Sequence, residues 1–215
     1  MKKLCLLVAT LSVVVALQAR ENILKSPDGT IVVTVNSGEH VSYSVQKSGI
    51  KLLAPSQISM MLLNGTMFGG RDNFRVSRRH VDQTIPVSNF KRASVRDCFN
   101  EMTLSAGDYD IIFRAYDDGV AYRFVSRGRE GEFAVAYEQA EFAFPYDSYA
   151  YVPYVARDHS SFEPQFFNSF ENTYAHHAIS KWEKGRLAFL PLTVEGANGI
   201  KLCITEADLV DYPGM

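Results

Sequence analysis

Tyr109-Asp110-Ile111-Ile112-Phe113-Arg114-Ala115-Tyr116-Asp117-Asp118-Gly119-Val120-Ala121-Tyr122-Arg123-Phe124-Val125 decides the fold class. Tyr109, Ile111, Phe113 and Ala115 fall on one face of an extended chain, and Val120, Tyr122 and Phe124 on one face of the next. Asp117-Asp118-Gly119 between them predicts a tight hairpin turn, with Gly119 supplying a positive φ. Both strands lay one face on a core and leave the other in water.

The same period of two extends outward in both directions. Thr30 to Val35 follows the turn signal Ser26-Pro27-Asp28-Gly29, and Val41 to Gln46 alternates apolar with polar residues. Ile58 to Phe68 reads as an apolar strand or sheet edge. Further strands are predicted at Glu132–Tyr137, Glu141–Phe144, Arg186–Leu192 and Gly199–Thr205, the last two joined by a turn at Gly196-Ala197-Asn198-Gly199. Gly69–Pro86 is polar and basic and reads as a surface excursion. Turn residues are frequent and no long helical period appears, so the chain is expected to be all-β, a sandwich.

The first residues set the expected compartment. Lys2 and Lys3 precede an apolar run from Leu4 to Leu17, interrupted only by Thr10 and Ser12 and followed by Gln18-Ala19 and the polar Arg20-Glu21. That is the pattern of a signal peptide over residues 1–19, too short to span a bilayer. The remainder, 20–215, reads as one exported domain, with the periplasm its expected location. The formal charge of −2, with no basic cluster, argues against nucleic acid and against an anionic membrane surface.

Cys98 and Cys203 remain after the leader, either paired or as free thiols, and no Cys/His spacing suggests zinc. No serine lies in a nucleophile elbow, and no glycine-rich phosphate loop is present. His176 and His177 are adjacent, so on a strand they point to opposite faces and do not share a metal. His40 and His80 fall in expected turns or surface segments.

From Ala150 to Trp182 the period is lost. Tyr151, Tyr154, Phe162, Phe166, Phe167, Phe170, Tyr174 and Trp182 alternate irregularly with Asp158, His159, Glu163, Asn168, Glu171, Asn172, His176 and His177. Aromatic faces beside directed hydrogen-bonding groups suit a sugar. The same composition also suits a sandwich rim or a surface packed on a partner domain.

Several of these segments carry a resemblance. Ser26 to Gly29, the D-D-G-V-A-Y-R-F run at Asp117–Phe124, the E-x-x-Y element at Glu171–Tyr174 and the E-A-D-L-x-D-Y run at Glu206–Tyr212 resemble, in order, the N-terminal domain of glycoside hydrolase family 97. The stretch Gly49–Ala106 adds little to it. The resemblance implies a galactose-mutarotase-like β-super-sandwich, incomplete at its C-terminal end, which precedes a (β/α)8 barrel in cis. It implies hydrolysis of α-glucosidic or α-galactosidic bonds in oligo- or polysaccharides, with the catalytic carboxylates in the barrel. It further implies an active-site calcium to which the sandwich lends a carboxylate, Glu171 first and Glu206 second. Without the resemblance, Glu171 reads as a solvated carboxylate or a partner of His176, and Glu206 as a carboxylate bonding amides of its own turn. A free-standing, exported carbohydrate-binding sandwich is the alternative.

Overall fold

The computed structural model describes residues 20–127, 134–155, 161–167, 171–207, 209 and 212. The leader expected at 1–19, the first two residues of the strand predicted at Glu132–Tyr137, and Asp158, His159, Asn168 and Phe170 lie outside the described residues.

Three antiparallel sheets form the domain. The first runs β1 (Arg20–Lys25), β2 (Ile31–Ser37), β3 (Val41–Lys47), β4 (Ile50–Leu62) and β10 (Val135–Ala140), with β5 (Met67–Phe68) also paired to β4. The second is the meander β6 (Arg75–Pro86), β7 (Ser94–Ala106), β8 (Tyr109–Ala115) and β9 (Val120–Ser126). The third orders β12 (Ala175–Ala178), β11 (Tyr149–Val152), β13 (Leu192–Glu195) and β14 (Lys201–Ile204).

The first two sheets face each other as a sandwich, because alternation gives each one apolar side. Val33, Val35, Val41, Ile58, Met102, Leu104, Ile111 and Phe113 are wholly buried in the shared core. Tyr43 of the first sheet meets Phe113 of the second at 5.9 Å between ring centres. Each such side chain taken from water contributes about 1.5–3 kcal/mol. The third sheet has a smaller core of Ala150, Val152, Tyr154 and Val194, joined to the main one through Phe144 and Leu202.

The all-β sandwich reading holds, and the Tyr109–Val125 hairpin pairs as expected, Ala115 opposite Val120. Its turn differs. Tyr116 N–H donates to the Gly119 carbonyl at 2.8 Å, closing a four-residue loop in which Gly119 does not adopt positive φ. The longer loop reverses the chain without the left-handed residue that a two-residue turn demands.

Four other expectations are corrected. The supposed excursion at Gly69–Pro86 contains β6, a long edge strand paired to β7 from Arg75–Ser105 to Pro86–Ser94, which also carries His80. Glu141–Phe144 is not a regular strand, although Glu141 N–H still donates to Gln57 O and Ala54 N–H to Ala143 O. Arg186–Leu192 is largely irregular, with one bridge from Ala188 to Tyr154, and the strand begins at Leu192. The proline at 191 lacks the N–H a ladder needs. The aromatic stretch is not all loop either, since β11 and β12 frame it, Tyr151 opposite His176.

Candidate functional site

The third sheet sorts the aromatic segment into two faces. Tyr149 and Tyr151 point to solvent with His176, whose ring stacks on Tyr151 at 4.3 Å and lies 5.3 Å from Tyr149. Glu195 joins them from β13, accepting from Tyr151 Oη at 3.3 Å and Lys201 Nζ at 2.5 Å, and lying 3.6 Å from His176 Nε2. The Lys201 hydrogen bond holds the Glu195 carboxyl below the usual range. The result is an aromatic strip with a fixed carboxylate at its side, a surface able to stack on the C–H face of a sugar while accepting from its hydroxyls.

His177 points the other way, as adjacency requires. Its Nδ1 donates to Ala178 O at 2.8 Å, so Nε2 accepts from Tyr154 Oη at 3.1 Å. Tyr154 Oη in turn accepts from Glu183 N–H at 2.9 Å. The Tyr154 ring is covered edge-on by Trp182 and by the Arg186 guanidinium 4.6 Å away. Burial pushes its hydroxyl above the ordinary tyrosine value. Tyr154 thus organises the segment, a role that composition alone did not single out.

Gln165 is the second organiser that sequence reasoning missed. It is 4% exposed within a 3-10 turn, Glu163–Phe166, and bonds backbone groups of Ser161, Gly185 and Leu187. Around it Phe162, Phe166 and Phe167 are 53%, 57% and 85% exposed. A glutamine among aromatics gives no sequence signal of burial, because Gly185 and Leu187, two of its three main-chain partners, lie 20 and 22 residues away.

The two candidate metal ligands sit in different surroundings. Glu171 is exposed, next to Asn172, whose Nδ2 donates to Tyr154 O at 3.0 Å. His176 is engaged by Glu195, so the alternative pairing of His176 with Glu171 is not the one adopted. Glu206 is half-buried near a different group, Glu138, Tyr122 and Tyr212. Tyr212 Oη donates to Glu138 Oε2 at 2.5 Å beside an open cleft of 430 Å³ lined by Tyr137–Glu141. Burial, with these carboxylates adding to it, pushes the Tyr122 hydroxyl up.

Among the described residues, neither Glu171 nor Glu206 belongs to a group of three or more metal-ligating side chains. Calcium takes six to eight oxygens. One carboxylate supplies at most two of these, so neither glutamate by itself makes a calcium site. Among the described residues both cysteines are free, Cys98 half-buried on β7 and Cys203 exposed on β14. Among the described residues no helix is long and apolar enough to cross a membrane.

This fold has close counterparts. A glycoside hydrolase family 97 enzyme from Pseudoalteromonas sp. strain K8, solved with acarbose, superposes with a TM-score of 0.74 at 22% identity, covering 90% of this chain and 30% of that one. A β-arabinopyranosidase structure gives 0.72 at 21% identity, covering 88% and 32%. Among curated proteins, the retaining alpha-galactosidase of Bacteroides thetaiotaomicron is 42% identical over 219 residues, which takes in 100% of this chain and 33% of the relative. The chain thus spans about a third of the length of that relative. The model of the glycosyl-hydrolase 97 N-terminal family matches residues 24–215, and the chain belongs to that family.

Proposed function

We propose that this chain is the N-terminal sandwich of an exported, calcium-dependent glycoside hydrolase that cleaves α-galactosidic or α-glucosidic bonds in oligo- or polysaccharides. The observation that carries this reading is the 42% identity, along the whole chain, to a retaining alpha-galactosidase. The bond-breaking carboxylates then belong to a (β/α)8 barrel in cis, on which the sandwich packs. Residues 1–19 serve as the signal for export to the periplasm.

Within this reading Glu171 lends its carboxylate to the calcium shell, which its exposure permits, and Glu206 is the second candidate. Bound calcium would polarise a water or orient a general base. Asn172, bonded to the Tyr154 carbonyl, fixes the chain beside Glu171, so Tyr154 and Asn172 position the ligand without touching the ion.

The test is hydrolysis of aryl α-galactosides and α-glucosides by the full-length protein, before and after chelation. We expect turnover of at least one, lost with chelator and restored by calcium. Glu171→Gln should raise the calcium concentration needed by roughly 10-fold or more. No turnover of either substrate would refute the hydrolase reading.

A second reading, a carbohydrate-binding sandwich without hydrolase activity, is favoured by one feature, the exposed strip of Tyr149, Tyr151 and His176. It predicts saccharide binding that Tyr151→Ala abolishes, with no bond cleavage.

A further inference from the structure

Strands β6 and β7 bring three metal-binding side chains together, apart from Glu171 and Glu206. The register sets His80 opposite Asn100 and Asp82 opposite Cys98. Residues opposed across a pair, or two apart on one strand, share a face, so all four project together. One ring nitrogen of His80, a carboxylate oxygen of Asp82 and Cys98 Sγ lie within 4.8 Å of one another.

The hydrogen bonds around His80 prepare it further. Asn100 Nδ2 donates to Lys25 O at 2.8 Å, which turns Asn100 Oδ1 toward His80 Nδ1, also at 2.8 Å. An amide oxygen only accepts, so Nδ1 carries the proton and Nε2 of the neutral ring keeps its lone pair. Metal-binding histidines are commonly held in this way by the nitrogen that does not bind the ion.

The location gives such a site something to do. β7 pairs with β8 only from Asn100 to Ala106, whereas its ladder with β6 continues to Ser94. Beyond Asn100 the sheet is therefore a two-stranded ribbon, ending at the exposed Ile85, Val95 and Phe90. A lone ribbon is marginal in water. The cluster sits at its base and bridges both strands.

We infer that His80, Asp82 and Cys98 form a zinc site that clips this ribbon to the sandwich. Imidazole, carboxylate and thiolate together suit zinc, with water in the fourth position. Ligand atoms on one tetrahedral zinc lie roughly 3.3–3.8 Å apart, given bonds of about 2.0–2.3 Å. Rotation of the exposed His80 and Asp82 side chains toward the half-buried Cys98 would close the remaining gap. Arg96 holds Asp82 through Nε at 2.8 Å and Nη2 at 2.7 Å. A carboxylate has about four lone-pair sites, so Asp82 can keep Arg96 and still take the ion.

The experiment is a titration of the tag-free, full-length protein with zinc by calorimetry and with cobalt by absorption. We expect a thiolate-to-cobalt charge-transfer band that Cys98→Ser abolishes and Cys203→Ser retains. Zinc affinity should fall by roughly 10-fold or more in His80→Ala and in the positioning variant Asn100→Ala. Zinc should also slow amide exchange across residues 81–99 in the parent protein and not in Cys98→Ser. Absence of the band in the parent, its survival in Cys98→Ser, or equal zinc affinity in His80→Ala would each overturn the assignment.

Discussion

The main-chain N–H of Asp28 donates to Asp117 Oδ1 at 2.9 Å, joining the turn before β2 to the turn after β8 across the open end of the sandwich. Lys47 Nζ reaches the Asp117 carbonyl at 2.8 Å from the end of β3. The Asp28 carboxyl faces inward on its own turn, where Ser26 Oγ and the Thr30 amide hold it down to about 2. Asp117→Ala should cost about 1 kcal/mol, or ~2–4 °C in Tm for a domain of this size. Asp118→Ala, one residue on, should leave Tm unchanged. Because the Asp28 pKa is depressed, its contribution is present above the ordinary carboxylate pKa and is lost as pH falls toward 2. Thermal melts of the two variants from neutral to acid pH check both statements.

Glu101 anchors the outer face of the second sheet. It is 5% exposed and takes Arg79 Nε at 2.5 Å and Arg114 Nε at 2.8 Å, while Arg114 lies 4.3 Å over the Phe99 ring. Burial works to raise the Glu101 carboxyl, but hydrogen bonds from Arg79 and Arg114 outweigh it and the pKa is lowered. Glu101→Gln keeps the shape and removes the charge. Losing one partner of a fully buried pair costs ~3–5 kcal/mol. Arg79 is 60% exposed and regains water, so about 2 kcal/mol is expected here. The sign follows from the lowered pKa. The gap in stability between parent and variant is full at neutral pH and closes as pH drops through the folded value of Glu101. Urea denaturation at neutral and acid pH measures it.

Gly69 marks where the chain leaves the first sheet for the second. Its φ is +82°, and a Cβ there would stand 2.7 Å from the Ile58 carbonyl oxygen. Its N–H donates to Tyr109 Oη at 2.9 Å, and its carbonyl accepts from Val41. Gly69→Ala therefore combines backbone strain with a clash against main chain and should cost about 2–4 kcal/mol. Gly29 has φ +75° with nothing near its Cβ position, so Gly29→Ala should cost only ~1–2 kcal/mol. Equal destabilisation of the two would show that the clash is relieved by movement of β4.

The contrast between β8 and β6 explains how far the sequence could be read. β8 lies between two strands with one face on the core, so Tyr109, Ile111, Phe113 and Ala115 alternate with polar residues and declare themselves. β6 is an edge strand whose outer half leaves the sandwich, so neither face has to be apolar and Arg75–Pro86 shows no period. In the aromatic segment the composition was legible, but the arrangement was not. Tyr154 and Gln165 are fixed by main-chain atoms distant in sequence, and His177 by the Tyr154 hydroxyl on another strand. The proximity of His80 and Cys98 was equally hidden, since it depends on the register of two strands and not on a short spacing motif.

Gln165 offers the sharpest test of what shapes the aromatic segment. Its Oε1 accepts from Leu187 N–H at 2.7 Å, and its Nε2 donates to Gly185 O at 2.9 Å. Gln165→Ala leaves that N–H and that carbonyl without their partner. A buried unsatisfied group costs about 1–3 kcal/mol, but this turn lies at the surface, where opening readmits water. The loss should therefore appear as local opening, with the main sandwich melting nearly as before. Amide exchange at Leu187 should quicken roughly 10-fold or more, the equivalent of ~1.4 kcal/mol. Gln165→Met fills the same space without hydrogen bonds, so it should quicken exchange as Ala does if bonding, rather than packing, holds the turn. Unchanged exchange at Leu187 in both variants would mean that the Gln165 hydrogen bonds do not hold this turn closed.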